Sequence, residues 1–361
     1  MRGSGMVIVF GAGGFIGTYL IDQLVAEHVD VVASDVSDLA KAYYERRGVQ
    51  YRNVDITKKD QFETLPGEHI DAVVHLACVQ PANVSEQEYS PVDYAMVNIV
   101  GTLNILEFCR VNRIPKIIYT CSHRNTQGMW TEKGGRPIRE TDGRSIMFTG
   151  DYAMFSISES AASDGVEHYN RRYGIEGVIL RLPPVYGFGP HLEIFKDGKS
   201  IKTGFIALIE NAESGDPLVL WGDPSKARDI IYVKDVVAAV LLALRRTNVA
   251  GLYNISSGQQ LSLQEQAEAV IRVFSPPGRR SEIRYQPETP HHFESYVYDI
   301  GKARQVLGWQ PKYSFENMLR DYRKERESGR FGFLIQKRKA LMERATAETS
   351  KIVVRVLKAI E

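Results

Sequence analysis

Three cysteines in 361 residues, Cys78, Cys109 and Cys121, are too few and too irregularly spaced for a disulfide framework or a cysteine metal site. They read as reduced thiols of a cytoplasmic protein. Long hydrophobic runs are missing too. The longest, Val236 to Leu244, is too short to span a bilayer, and the opening MRGSG has no apolar signal region and resembles a tag remnant ahead of Met6. Neither sign of charge dominates, with 45 basic against 44 acidic side chains and a net charge of +1. That balance argues against nucleic acid or an anionic membrane as partner. No internal repeat or low-complexity tract breaks the chain, which is long enough for two domains or one elaborated α/β domain. The expected partner is a small molecule.

What is present is alternation. From Met6 to Leu182, the strand-like runs MVIVF, DVVASD, DAVVHLA, KIIYTCS and GVILRL alternate with segments apolar at helical spacing: FIGTYLIDQLVAEH, VDYAMVNIVGTLNILEFCRVN and FSISESAASDGVEHYNRRYG. Such alternation predicts a doubly wound parallel sheet, with Gly174 closing the last of these helices. Residues 6–182 form the first domain on this reading. Residues 183–329 form a smaller α/β substrate domain with some interleaving into the first. It has a long loop at HLEIFKDGKSIKTG, the helices VKDVVAAVLLALRR and SLQEQAEAVIRVF, and the strand GLYNIS. Residues 330–361 form a helical extension, with Leu334, Leu341, Ala345, Ile352, Val356 and Ile360 on one stripe.

VIVFGAGGFIG places Gly11, Gly14 and Gly17 after a buried strand and at the start of a helix. The turn needs backbone freedom at the first glycine, a diphosphate needs close approach at the second, and helix–strand packing needs a missing side chain at the third. The next strand ends in Asp35, eighteen residues after Gly17, where a carboxylate accepts both ribose hydroxyls and repels a 2′-phosphate. This favours NAD over NADP. Asp55, after the following strand, either reaches the adenine amine or caps a helix.

GAGGFIG, HLAC at 75–78, the serine of YTCSH, LRLPPVYGFGP, GDPSKARDIIYVKDV and LGWQPKYSFENML together resemble the extended short-chain dehydrogenase/reductase family, in its NAD-dependent epimerase/dehydratase branch. The resemblance runs in order to about residue 326. It implies a Rossmann domain holding NAD, with Phe15, Ile16, Ile56, Leu76 and Ala77 adding to the cofactor walls. It also implies a nucleotide-sugar substrate and a homodimer built on helices.

In that family a tyrosine and a lysine lie four apart on a helix, assisted by a serine or threonine from the preceding strand end. Ser122 matches the third member. For the pair, two registers compete: Tyr152 with Ser156, or Phe155 with Glu159. The family's lysine precedes the arginine of the LRLPPVYG motif by the same twenty-two residues that separate Glu159 from Arg181, which selects Phe155 and Glu159. A phenylalanine transfers no proton, and a glutamate raises a neighbouring phenol's pKa where a lysine lowers it. Three possibilities stand: a replacement apparatus using Tyr152 and Glu159 with Ser122, Cys121 or His123; a non-catalytic binder; or a laboratory variant disabled to trap a ligand. A reductase of a non-nucleotide ketone or alcohol is the alternative in substrate class.

Arg228, in SKARDIIYVKDV, matches the family's pyrophosphate-binding arginine, and its planar fork suits two phosphate oxygens. Pro184 stands where many relatives carry a polar residue beside the substrate. Lys196, Lys199 and Lys202 lie in the expected loop, and His291 and His292 stand together without the further ligands of a metal site.

Overall fold

The computed structural model describes residues 5–81, 90–130, 136–150, 152–189, 193–196, 199–289, 294–329, 331, 332, 334 and 335, with backbone alone for 193–196 and 199–202. Strand β1 (Met6–Phe10) shows why a sheet forms at its centre. Its side chains alternate, Val7 and Val9 into one core and Ile8 and Phe10 into the other, and all four are buried. Helix α1 (Phe15–Ala26) returns the chain to β2 (Val31–Asp35), and the short α2 (Lys41–Glu45) leads to β3 (Gln50–Asn53). After β4 (Ile70–His75) comes α3 (Pro91–Tyr94), which passes through a π-helical stretch, Ala95–Gly101, into α4 (Thr102–Val111). The whole helix Pro91–Val111 is apolar and long enough to cross a membrane by length and composition alone. Half of it is buried in this fold, as in the core helix of an α/β protein. Strand β5 (Lys116–Ser122), α5 (Ala153–Tyr173) and β6 (Glu176–Leu182) follow. Gly174 ends α5 at φ 73°, the left-handed cap expected of it.

The short β7 (Val185–Tyr186) precedes β8 (Glu193–Lys196) and β9 (Lys199–Lys202), an antiparallel hairpin where the sequence suggested only a long loop. Short alternating runs around a turn carry too few residues to announce a strand pair. Helix α6 (Gly204–Ser214), β10 (Leu218–Trp221), β11 (Ala227–Arg228), β12 (Ile231–Tyr232) and α7 (Val233–Arg245) lead to β13 (Gly251–Asn254). Strand β14 (Leu261–Ser262), α8 (Leu263–Phe274), β15 (Ile283–Gln286) and α9 (Phe315–Glu327) complete the described elements.

The main sheet has seven parallel strands in the order β13-β6-β5-β4-β1-β2-β3. The order reverses between β1 and β4, and a doubly wound sheet opens its ligand crevice at the strand ends of such a reversal. Strand β13 comes from beyond residue 182 yet pairs with β6 from Val178 to Arg181, so the second segment reaches back into the first sheet. The LGWQPKYS stretch is fastened to α7: Trp309 Nε1 donates to the Asp235 carbonyl at 3.0 Å, and Lys312 N donates to its carboxylate at 2.8 Å. A cavity of about 610 Å³ lies here, lined by Tyr19, Asp22, Lys234, Trp309 and Tyr313 among others, and by none of the residues expected at the site. Of the apolar stripe expected beyond residue 329, only Leu334 is described, and it is buried. The rest of that stripe, with His291 and His292, lies outside the described residues.

Candidate active site

The glycine turn fits a dinucleotide. Gly11 has φ +80°, and a Cβ there would lie 2.7 Å from Ala77 N, so both conformation and space demand glycine. A Cβ at Gly17 would overlap the Gly11 carbonyl oxygen, whereas one at Gly14 would meet only that same oxygen, at 3.1 Å. Gly14 is the N-cap of α1, whose first turn carries no acidic side chain, so its N–H groups and partial positive charge are available to a phosphate. The Asp35 carboxylate accepts from Gly13 N at 2.9 Å and from Ser37 N at 3.2 Å. These bonds lock it beside the turn, and a carboxylate has further lone pairs for ribose hydroxyls. Phe15, Ile16, Leu76 and Ala77 are half-buried around the turn. Asp55 is held as a local cap: its Oδ1 accepts from Thr57 N at 2.9 Å and Thr57 Oγ1 at 2.8 Å. Ile56 is buried beneath, close against Gly101.

At the reactive end, α5 lies beside β5 and brings Glu159 under the strand's end. Glu159 is 2% exposed, and its Oε2 accepts from Ser122 N at 3.2 Å. Burial pushes its pKa up to about 8, against the Tyr119 phenol and the Ser122 amide, which pull the other way. Its Oε1 and the buried Tyr119 hydroxyl each lack a hydrogen bond of ordinary geometry. The Ser122 hydroxyl accepts from Arg124 N at 3.2 Å, capping the turn that follows. Phe155 is buried, at 6% exposure, while Tyr152, the N-cap residue of α5, is 37% exposed.

Two features of this floor escaped the sequence. Asn98, in the π-helical stretch, accepts from Val79 N and donates to Val79 O and Ser158 Oγ, tying the loop after β4 to the residue before Glu159. His75 is fully buried and burial drops its pKa to about 3. Thr102 donates its hydroxyl to Asn98 O at 2.6 Å, so His75 Nε2, 2.9 Å from Thr102 Oγ1, carries the proton and donates to that hydroxyl oxygen.

A cluster of arginines and aromatic rings gathers residues from five segments. Arg228 Nη2 donates to Tyr186 Oη at 3.1 Å. The Arg124 guanidinium carbon lies 3.8 Å from the Tyr152 ring centre and 5.3 Å from that of Trp130. Trp130 stacks on His123 and on Tyr296 at ring distances of 5.3 and 4.3 Å. Arg124, Trp130, Tyr186 and Tyr296 were not singled out in the sequence; the nearest signal was the position of Arg124, two residues after Ser122. Pro184 is half-buried and accepts from Ile231 N through its carbonyl at 3.1 Å, a backbone role. Among the described residues no cluster of three metal-ligating side chains occurs.

A glycine turn shaped for a dinucleotide at the reversal of a doubly wound parallel sheet defines the class. The sequence pattern of the NAD dependent epimerase/dehydratase family matches residues 7–256, and the chain belongs to that family. Its cofactor is NAD. The chain is 30% identical over 318 residues to a putative UDP-glucose 4-epimerase of Methanocaldococcus jannaschii, covering 87% of this chain and 96% of the relative. It is 29% identical over 314 residues to UDP-glucuronic acid decarboxylase 3 of Arabidopsis thaliana, covering 87% and 86%. The crystal structure of UDP-glucose 4-epimerase with UDP-glucose from Thermotoga maritima superposes with a TM-score of 0.73 at 25% identity, covering 90% of this chain and 99% of that one.

Proposed function

We propose that the chain is a nucleotide-sugar enzyme of the epimerase/dehydratase class, working by hydride exchange at a hydroxyl-bearing sugar carbon. In this reading Glu159 holds and moves the proton in place of the family's tyrosine–lysine pair. The observation that supports it is the Glu159 carboxyl, buried at the crevice floor against Ser122 with a pKa of about 8. A group titrating there can both give and take a proton near neutral pH. NAD, when bound, takes up and returns a hydride. Gly11, Gly14 and Gly17 hold its diphosphate, Asp35 holds its adenosine ribose, and Phe15, Ile16, Ile56, Leu76 and Ala77 form the walls, with Asp55 at their edge. Arg228 holds the sugar's diphosphate. Ser122, Tyr152 and Pro184 line the sugar end, and Phe155 excludes water from it. The working form is a homodimer.

A second reading, a non-catalytic binder of NAD and nucleotide sugar, is favoured by Phe155, which has no exchangeable proton. One comparison separates the two. The chain as written, Glu159→Gln, and Phe155→Tyr with Glu159→Lys are each assayed for NADH formation and sugar products, after calorimetry with UDP-, GDP-, CDP- and dTDP-sugars. The proposal expects activity in the chain as written and a loss of roughly 10²–10⁴ in Glu159→Gln. A double variant that gains orders of magnitude over the written chain would mark that chain as impaired. Silence from all three with ligand bound supports the binder.

A further inference from the structure

We propose that Arg124 reads a second negative charge on the substrate, a carboxylate on its sugar, so that the ligand is a nucleotide sugar of the uronic acid class. The inference rests on the nucleotide-sugar reading above and adds the sugar's charge to it. Arg124 is half-buried, with its guanidinium over the Tyr152 ring and Nη1 donating to Gln127 Oε1 at 3.1 Å. No carboxylate among the described residues forms an ion pair with it. Burial, with the Arg228 charge adding to it, holds the guanidinium below its usual pKa range. A cation so placed is stabilised by an arriving anion.

The surroundings fix where that anion sits. Arg124 follows Ser122 by two residues, and the Ser122 amide holds Glu159, so Arg124 borders the reacting end of the crevice. Arg228, the residue matched to the diphosphate, lies near enough for each guanidinium to feel the other's field. A uronic acid nucleotide carries its diphosphate on C1 and its carboxylate on C5, the two carbons that flank the ring oxygen, so its two anionic groups lie near one another, which suits two cations close enough for one to lower the other's pKa. Tyr296 supplies a further donor. Its hydroxyl is 3% exposed by residue, lacks a partner, and lies in the field of both arginines. His123 adds no competing charge, because burial keeps its imidazole neutral. The Trp130 stack on His123 and Tyr296 holds this wall rigid, so that little ordering is left for binding.

The test is calorimetry on the NAD-loaded full chain with UDP, UDP-glucose and UDP-glucuronate, for wild type, Arg124→Gln and Arg124→Lys. Wild type is expected to bind UDP-glucuronate about tenfold or more tighter than UDP-glucose. Arg124→Gln should erase that preference while leaving UDP affinity within about twofold, and Arg124→Lys should keep part of it, since lysine retains the charge and loses the fork. Equal weakening of UDP and UDP-glucuronate by Arg124→Gln would make Arg124 a diphosphate residue and overturn the proposal. A wild type that does not distinguish the two sugars overturns it as well. Should none of the three compounds bind wild type, the nucleotide-sugar reading has failed, and this inference with it. Thermal melting with NAD checks that each variant is folded, and Arg124→Lys carries the comparison if Arg124→Gln is not.

Discussion

The carboxyl of Glu159 accepts a hydrogen bond from the backbone amide of Ser122 and is sealed from solvent by the same packing that joins α5 to β5. Its pKa of about 8 lies far above that of an unfolded glutamate, so the folded chain keeps a proton that the unfolded chain releases. The resulting stabilisation is complete below the ordinary carboxyl range and is lost as pH rises towards about 8. The slope reaches at most about 1.4 kcal/mol per pH unit. Urea unfolding across that range should show stability falling with pH in the wild type and a flatter profile in Glu159→Gln. Parallel profiles would place the titration elsewhere.

Asp35→Ala removes the acceptor for Gly13 N and Ser37 N, and with it the ribose contact proposed for this carboxylate. NAD affinity should fall by about 1.5–3 kcal/mol, the range for a bond to a charged group. Calorimetry with NAD measures it, and an unchanged affinity removes Asp35 from the site.

Gly14 and Gly17 should separate by experiment. Gly17→Ala pushes a methyl into the Gly11 and Ala12 carbonyl oxygens, backbone atoms that cannot step aside, so it should destabilise the fold by about 1–3 kcal/mol. Gly14→Ala meets one of those same oxygens at the milder distance of 3.1 Å and should lower the melting temperature less than Gly17→Ala while weakening NAD. Melting curves with and without NAD distinguish the two effects.

Val92, Met96, Leu103 and Val111 are large apolar side chains left exposed on the helix Pro91–Val111. In the homodimer proposed above these side chains form the seam, and a charge placed there disrupts it. Leu103→Asp should shift a dimer to monomer in sedimentation velocity, and a wild type already monomeric would refute the helical dimer.

The cofactor end was legible because its signals are local. A strand, three glycines and a carboxylate eighteen residues on lie in one short stretch, and Gly11 and Gly17 are demanded by conformation or space at their own positions. Counting to Arg181 pointed to Glu159, and the structure sets its buried carboxyl against Ser122 N. The grouping of Arg124 and Trp130 with Tyr186 and Tyr296 was not legible, because it joins three stretches far apart in the chain with no shared spacing. The π-helical turn that sets Asn98 also leaves no mark, since one widened turn hardly alters the apolar spacing of the helix around it. The hairpin of β8 and β9 was hidden by brevity.

Strand β13 carries a consequence for synthesis. The interior strand β6 is buried along its length and pairs on one side with a segment that begins sixty-nine residues after Leu182. On the ribosome that edge stays open for roughly 4–14 seconds while those residues emerge. An exposed apolar edge is a template for pairing with another chain. A fragment ending near residue 182 should therefore self-associate, whereas one extended past Asn254 carries the strand that covers it.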